Sequence, residues 1–292
     1  MTLIDQIFQL LLSGITMGSI YALIAIGFNI IYNTTNILNF AQGEFVMLGG
    51  MCMIMFHSSF HINIFISFFL SIIAVTLIGI GVEKFTIHPI KNPSLVTLIL
   101  ITIAVSSILK ALAMLTWGKD SYPLAPFSSD VPIRIGGAAI LPQIIWIISI
   151  SIVIVVLLIY LFRFTYFGKA LLATAINKNA AEIMGIDIHK MINLSFALSA
   201  AIGAVAGGVI TPITLMEYNR GAILGIKGFA VSIFGGVGNF LGSIVAGLII
   251  GIAEAFCAGF ISSGYKDALT FFIMIIVLFV KPEGLLGKNE VE

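Results

Sequence analysis

The chain is predicted to be an all-α polytopic membrane protein, and three properties of the sequence carry this prediction. Of its 292 residues, 60% are hydrophobic and only 9% are charged, and the mean hydropathy is +1.16. Between Asp5 and Glu83 the one Asp, Glu, Lys or Arg is Glu44. A soluble domain does not cover its surface with so few charges. We therefore expect a single transmembrane domain over residues 1–292.

Apolar blocks of unequal length indicate the individual helices. A window of about 19 residues gives candidate spans at 7–31, 45–56, 62–82, 95–117, 141–162, 192–215, 228–260 and 268–280. A crossing needs about 20 residues, so the blocks 45–56 and 268–280 predict broken or re-entrant helices. The block 228–260 is too long for one span and is rich in glycine, which favours two half-helices or two spans. We expect about eight transmembrane helices, and at most ten.

Orientation follows from the lysines and arginines of the short loops. The segment 163–190 is cytoplasmic by this rule, because it contains Arg163, Lys169, Lys178 and Lys190. Lys84 and Lys91 agree with this side, and the loop 118–140 and the N-terminus should then face the opposite side. Lys281 and Lys288 favour a cytoplasmic C-terminus, whereas eight crossings would place it outside. A ninth crossing within 228–260 would reconcile the two.

Small residues spaced by four predict where helices pack closely in lipid. Three faces have this spacing, and we interpret them as architecture: Gly14, Gly18 and Ala22; Gly203 and Gly207; Ser243, Gly247 and Gly251.

The polar segment 163–190 contains the pattern of a short helix between long apolar blocks. Asn179 is predicted to cap it, Glu182 to complete a capping box, and Gly185 to end it. So short a helix needs a partner to persist. The apolar face of Ala180, Ile183 and Met184 would fit a groove on a soluble protein, although an ordinary connector remains the alternative.

A second polar segment, 29–50, lies at membrane depth, where amides need a cavity or protein partners. The glycine pair 235–236 follows the pair 49–50 by 186 residues, which suggests an internal pseudo-repeat or a coincidence. Interrupted segments in corresponding halves point to a transport pathway near the midplane.

Two acids, Glu44 and Glu254, lie closest to the apolar spans, and an intramembrane acid is by default functional. The alternative is that either one is interfacial, protonated or a tether between helices. We find no catalytic triad, no metal-ligand set and no phosphate-binding loop, and hence expect no enzyme activity, cofactor or metal. Cys52 and Cys257 fit core packing, and the net charge of +1 offers nothing to nucleic acid.

Several motifs together resemble the LivH-type permeases of branched-chain amino-acid ABC transporters. They are GSIYALIAIG at 18–27, NILNFAQGEFVMLG at 36–49, GGVGNFLGS at 235–243 and PEGLLG at 282–287. Gln42 stands where many relatives have histidine. The segment 163–190 resembles that family's cytoplasmic coupling loop, which docks on the ATPase. The residues assigned to coupling are Gly168, Lys169, Asn177, Asn179, Ala180, Ala181, Glu182, Gly185 and Ile186.

The resemblance implies a multi-pass subunit of a bacterial inner membrane. Its partners would be a second, LivM-like permease, two cytoplasmic ATP-binding subunits and a periplasmic amino-acid-binding protein. The cargo would be branched-chain or other small amino acids, or alternatively urea or short amides, moved by alternating access. An ion-coupled secondary transporter using Glu44 or Glu254, and a passive channel, remain open alternatives. The predicted pathway residues are Asn29, Asn36, Asn39, Gln42, Gly43, Glu44, Gly235, Gly236, Gly238 and Glu254.

Overall fold

The fold was analysed in a computed structural model that describes residues 3–90, 94–135 and 138–287. Within these ranges the chain forms eleven α-helices and one short β-hairpin. The first helices are α1 (Leu3–Thr35), α2 (Gln42–Ile54), α3 (Ile64–Val82) and α4 (Leu95–Trp117). The hairpin pairs β1 (Ile133–Ile135) with β2 (Ala138–Ile140). The remaining helices are α5 (Pro142–Phe164), α6 (Tyr166–Ile176), α7 (Lys178–Ile183), α8 (Ile188–Ile210), α9 (Arg220–Gly235), α10 (Phe240–Phe260) and α11 (Lys266–Val280).

Seven helices of the described chain are long and apolar enough to cross a membrane. They are α1, α4, α5, α8 and α10, together with α3 as extended by a π-helical turn to Ile87 and α11 as extended by a 3₁₀ turn from Ser263. Two helices are not among these candidate spans: α9 has 16 residues, and α2 has 13, which a π-helical turn (Met55–Ser59) continues to 18. At 1.5 Å per residue their α-helical parts span about 24 Å in α9 and 20 Å in α2, less than the roughly 30 Å of a hydrocarbon core. The prediction of broken helices is confirmed by α2 and α9.

The apolar block 228–260 is divided into α9 and α10 by a turn at Gly236 and Gly238. Both glycines have positive φ angles, 99° and 86°, which a residue with a side chain adopts only with strain. The block thus forms two helices, of which α10 alone is long and apolar enough to cross a membrane by itself. The block 268–280 belongs to a helix of full crossing length once the 3₁₀ turn is included, so the expectation of a re-entrant helix there was wrong.

Hydrogen bonds show which segments share an end of the bundle. At the end that carries α7, the Lys178 ammonium donates to the carbonyl of Thr35 (3.3 Å), and the Leu285 amide donates to the carbonyl of Phe234 (2.8 Å). The C-terminal segment 281–287 therefore lies at the α7 end. At the opposite end, Tyr122 and Met216 form a backbone bridge (N to O, 2.9 Å) between the loop 118–132 and the loop after α8. Lys91 and Lys288 lie outside the described residues.

The predicted small-residue faces pack against each other or against α2. Gly14 and Gly18 of α1 lie against Gly251 and Gly247 of α10, where a Cβ on Gly18 would fall 2.7 Å from the Gly247 carbonyl oxygen. Gly207 of α8 lies against the backbone of α2. Cys52 and Cys257 are buried. These helices approach backbone to backbone, as the spacing predicted.

The two halves of the chain repeat one order of helices: long, short, long, long. In this order α1 packs on α9 and α10, and α8 packs reciprocally on α2 and α3. The glycine pairs, however, do not occupy equivalent places, since Gly49 and Gly50 lie within α2 while Gly235 ends α9. The positions that correspond are Gly43 and Gly221, each the second residue of its short helix. The register taken from the glycine pairs was therefore wrong, although the order of helices does repeat.

Candidate functional site

The short helix α2 begins inside the bundle. Asn36, with a φ of 59°, ends α1 at an exposed position, and the chain then turns back. The Asn39 side chain accepts the amide of Ala41 (3.1 Å) and shapes this turn. Gln42 then lies against Gly27, eight residues before the end of α1, so α2 starts about 12 Å below that end.

Gln42 is held by α1 and α8. Its amide donates to the carbonyl of Ser199 (3.2 Å), and its oxygen accepts the Ser199 hydroxyl, which also contacts the carbonyl of Gly27 (2.8 Å). Gln42 is fully buried. These contacts fix the first turn of α2 at its depth in the bundle.

The starts of α2 and α9 meet through glycine. A Cβ on Gly43 would fall on the carbonyl oxygen of Gly221 and 2.7 Å from the Cα of Gly225. Only residues without side chains allow this approach. The N-terminal ends of two half-helices, each the positive end of a helix dipole, therefore converge within the membrane-embedded bundle.

Glu44 lies in the first turn of α2, at this junction. Its side chain is buried (1% exposed), and Oε1 accepts the hydroxyl of Ser106 on α4 (3.1 Å). Its Oε2 lies against Gly221 and has no hydrogen-bond partner among the described residues. It forms no salt bridge with any described residue. An acid from the first half of the chain thus meets the second half without a salt bridge among the described residues.

A pocket of about 190 Å³ opens beside Glu44, between α1, α4 and α9. Ser106 and Gly221, which contact the Glu44 carboxylate, belong to its wall. The aromatic part of the wall is Phe28, Phe40 and Phe229. The ring centroid of Phe229 lies 6.1 Å from that of Phe28 and 5.6 Å from that of Phe40. The pocket is therefore apolar with one acid directly behind its wall.

Glu254 has a different environment from that of Glu44. Its carboxylate binds the ammonium of Lys227 on α9 (2.8 Å), the phenol of Tyr21 on α1 (2.8 Å) and the hydroxyl of Thr270 on α11. Lys227 also pairs with Asp267 (2.8 Å). This cluster joins α1, α9, α10 and α11, in agreement with the helix-tethering alternative.

Sequence reasoning missed Lys227 and Asp267. The available signal was that Lys227 is the one charged residue between Arg220 and Glu254, and a buried lysine requires an acidic partner. The partner itself is not readable from sequence, because it lies on another helix.

Four other predicted pathway residues form a separate group. Asn29 accepts the Ser232 hydroxyl (2.6 Å) and the Gly238 amide (3.0 Å), and donates to Ser243 (2.6 Å). Gly235 and Gly236 lie in the same α9–α10 junction, under the C-terminal segment 281–287. This group clamps the α7 end of the bundle. The ten predicted pathway residues are thus divided, and the Glu44 junction contains only Gln42, Gly43 and Glu44, with Asn39 in the preceding turn.

The helix α7 starts two residues earlier than predicted. Asn177 is its N-cap and accepts the amide of Ala180 (3.0 Å), whereas Asn179 lies within the helix. The capping box of Asn179 and Glu182 was therefore wrong, because Asn177 already occupies the cap position. Gly185, with a φ of 85°, ends the segment as predicted, and the Ile186 amide closes it on the carbonyl of Ala181 (3.0 Å).

The predicted docking face is largely exposed. Ile183 and Met184 have 86% and 81% of their surface exposed, and Ala180 is exposed as well. Ala181, by contrast, is buried (4%) against the rest of the chain. Preceding this helix, Gly168 packs against the end of α5, and Lys169 is exposed.

Two half-helices that converge inside a bundle of membrane-crossing helices define a polytopic membrane transport protein. The chain belongs to the family described as branched-chain amino acid transport system / permease component, which it matches over residues 10–278. It is a permease subunit of an ATP-driven importer, not an enzyme, and ATP hydrolysis belongs to separate subunits. ATP-binding and substrate-binding partners follow from the same family. Of the alternatives drawn from the sequence, the ATP-driven class is the one supported.

Similar proteins cover almost the whole chain. It is 31% identical to the high-affinity branched-chain amino acid transport system permease protein LivH of Salmonella typhimurium, over 97% of this chain and 96% of that protein. It is 32% identical to the corresponding permease protein BraD of Pseudomonas aeruginosa, over 97% of each. The solved structure of PsaBC from Streptococcus pneumoniae in complex with Fab matches 94% of this chain and 91% of that chain, with a TM-score of 0.51 and 13% identity. This last similarity supports the fold alone.

Proposed function

We propose that this permease imports branched-chain or similar small amino acids across a bacterial inner membrane, in complex with a second, LivM-like permease. The relatives named above transport branched-chain amino acids, and the phenylalanine wall of the pocket suits an apolar side chain. Two cytoplasmic ATP-binding subunits and a periplasmic binding protein would complete the importer. The binding protein would set most of the specificity.

The observation that carries the coupling role is the exposed apolar surface of α7. Burial of apolar side chains drives protein association, and Ile183 and Met184 remain uncovered. We assign the segment 163–190 to contact with an ATP-binding subunit. Closure of the ATPases would then move α7, and with it α6 and α8, to which α7 is connected.

The second permease is expected on the face that carries the pocket. There, Ile103 of α4 and Ile223 and Ile226 of α9 are 41–51% exposed beside the pocket. A partner on this face would close the pocket from the side. The pathway would then run between the two permeases, past the α2–α9 junction, in an alternating-access cycle.

Transport measurements test the proposed substrate. The chain is co-expressed with its second permease and ATP-binding subunits, and the purified complex is reconstituted into proteoliposomes together with the binding protein. Uptake of radiolabelled leucine, isoleucine and valine is then compared with uptake of urea. ATP-dependent uptake of the amino acids that survives collapse of the proton gradient is expected. Uptake of urea alone would assign the chain to the alternative cargo.

Cysteine cross-linking tests the coupling surface. In a chain without Cys52 and Cys257, Met184→Cys should form adducts with the ATP-binding subunit, with a yield that changes with the nucleotide. Ala181→Cys is the matched control, because Ala181 is buried in α7, three residues before Met184 at the C-cap of that helix. Adducts equally frequent at both positions, or at neither, would remove the assignment of α7.

A further inference from the structure

The Glu44 carboxylate has no salt bridge with any described residue. It is buried, its Oε1 has a single hydroxyl donor, and its Oε2 has no partner among the described residues. A buried ion that is neither paired nor fully hydrogen-bonded is costly. Lys110, one turn beyond Ser106 on α4, has its ammonium over the ring of Tyr218 (5.8 Å); its charge acts on the Glu44 carboxylate from a distance but forms no salt bridge with it. The acid is therefore ready to accept a cation from elsewhere.

An amino acid brings such a cation together with an anion. The convergent N-terminal ends of α2 and α9 favour a negative group, which accounts for the carboxylate of a zwitterion but not for its ammonium. Glu44 supplies the negative group that this junction otherwise lacks. The buried amide nitrogen of Asn39, in the turn before α2, is a second polar atom without a partner in the described chain. Near the start of α2, one acceptor (Oε2 of Glu44) and one donor (the Asn39 amide nitrogen) therefore have no hydrogen-bond partner among the described residues.

We propose that Oε2 of Glu44 receives the α-ammonium group of the amino acid as it passes the pocket between α1, α4 and α9. This proposal rests on the proposed function and specifies the group that selects zwitterions over neutral amides. The substrate side chain would lie on Phe28, Phe40 and Phe229.

Access to Glu44 requires only a small separation of α9 from α2. Gly221 covers Oε2, and the contact of Gly43 with Gly221 and Gly225 contains no side chains that interlock. Ser106 and Gly221 form both the pocket wall and the cover of the carboxylate. A shift of α9 during the transport cycle would therefore expose the acid directly to the pocket.

Glu44→Gln tests this role because glutamine keeps the shape and can still accept from Ser106. In the reconstituted complex, leucine uptake should fall more than tenfold while ATP hydrolysis stimulated by the loaded binding protein stays within twofold of wild type. Glu44→Asp should recover part of the uptake. The matched control is Glu217→Gln, since Glu217 also accepts a serine hydroxyl (Ser121, 3.0 Å) but lies in the loop before α9. This control should transport as wild type.

The possible outcomes separate the two proposals. Wild-type uptake by Glu44→Gln would overturn the ammonium site and leave the proposed function intact. Loss of both uptake and complex assembly would also overturn it, because Glu44 would then be structural. Absence of amino-acid uptake by the wild-type complex would instead remove the proposed function. If Glu217→Gln lost as much leucine uptake as Glu44→Gln, the loss would not be specific to the pocket, and the ammonium site would be overturned.

Discussion

Glu44 and Glu254 are both buried acids within the apolar bundle, yet their surroundings differ completely. Glu254 has a lysine, a tyrosine and a threonine on its two oxygens, while Glu44 has one serine. The first arrangement joins four helices, and the second leaves one oxygen open next to a pocket. Burial of an acid therefore does not by itself indicate its role. What distinguishes a tether from a binding group is whether the protein supplies the counter-charge.

Lys227→Met would remove the cation that pairs with Glu254. We expect this substitution to have the largest effect on stability. The substitution leaves Glu254 buried without its cation, which typically costs about 3–5 kcal/mol. The folded complex should melt at a much lower temperature in detergent, as measured by fluorescence-detected size-exclusion chromatography after heating. An unchanged melting temperature would show that the pair does not hold the helices.

The double variant Lys227→Met with Glu254→Gln is the control for this effect. Removing both charges leaves no buried ion, so the double variant should recover about 1–3 kcal/mol relative to Lys227→Met alone, in the range of coupling between contacting residues. If the stability losses of Lys227→Met and Glu254→Gln simply add up in the double variant, Lys227 and Glu254 do not interact directly.

Gly43→Ala tests the side of the comparison that depends on backbone contact. The added methyl group would collide with the backbone of Gly221 and Gly225, so we expect a loss of about 1–3 kcal/mol, as for overpacked sites, and reduced uptake. The same assays apply. Gly81→Ala in α3 is the matched control, because its added Cβ would meet no atom closer than 4.0 Å. If Gly81→Ala loses as much stability as Gly43→Ala, the effect at Gly43 does not come from contact with the backbone of α9.

Glu44→Gln sharpens the comparison through stability. Because it removes a buried charge that has no salt bridge, the free energy of unfolding should equal that of wild type or rise by about 1 kcal/mol at most, while uptake falls. This opposite response of stability and activity is typical of a site kept ready for function. A fall in melting temperature comparable to that of Lys227→Met would place Glu44 among the tethers.

Asp187 provides an exposed reference and the smallest expected effect. The backbone amide and the ammonium of Lys190 hold its pKa below the ordinary value of 3.8. A lowered pKa of an acid stabilises the fold above the ordinary pKa, and this contribution is lost as the pH falls through the folded value. Asp187→Asn should therefore lower the melting temperature slightly at pH 7, and the difference from wild type should shrink below pH 3.8. A difference that grew in acid would contradict this sign.

The membrane class, the long helices and the presence of a short helix within 163–190 could be predicted because their signals are local. An apolar run of sufficient length is a transmembrane helix whatever it packs against, and the glycine that ends the α7 segment was recognised from its position. The cap was misplaced by two residues, since Asn177 and Asn179 are equally suitable as caps and only the path of α6 selects Asn177. Packing against the rest of the chain likewise decides that Ala181 is the buried residue of α7.

The sequence by itself determined that this is a membrane protein, where most of its long apolar helices lie, and which family it resembles, because hydropathy and motifs are properties of neighbouring residues. Only the tertiary structure decided that Gly43 meets Gly221, 178 residues later in the chain, and that Lys227 pairs with Glu254 while Glu44 has no salt bridge among the described residues. These facts depend on the depth and rotation of helices that are distant in sequence, and no local pattern encodes such pairings.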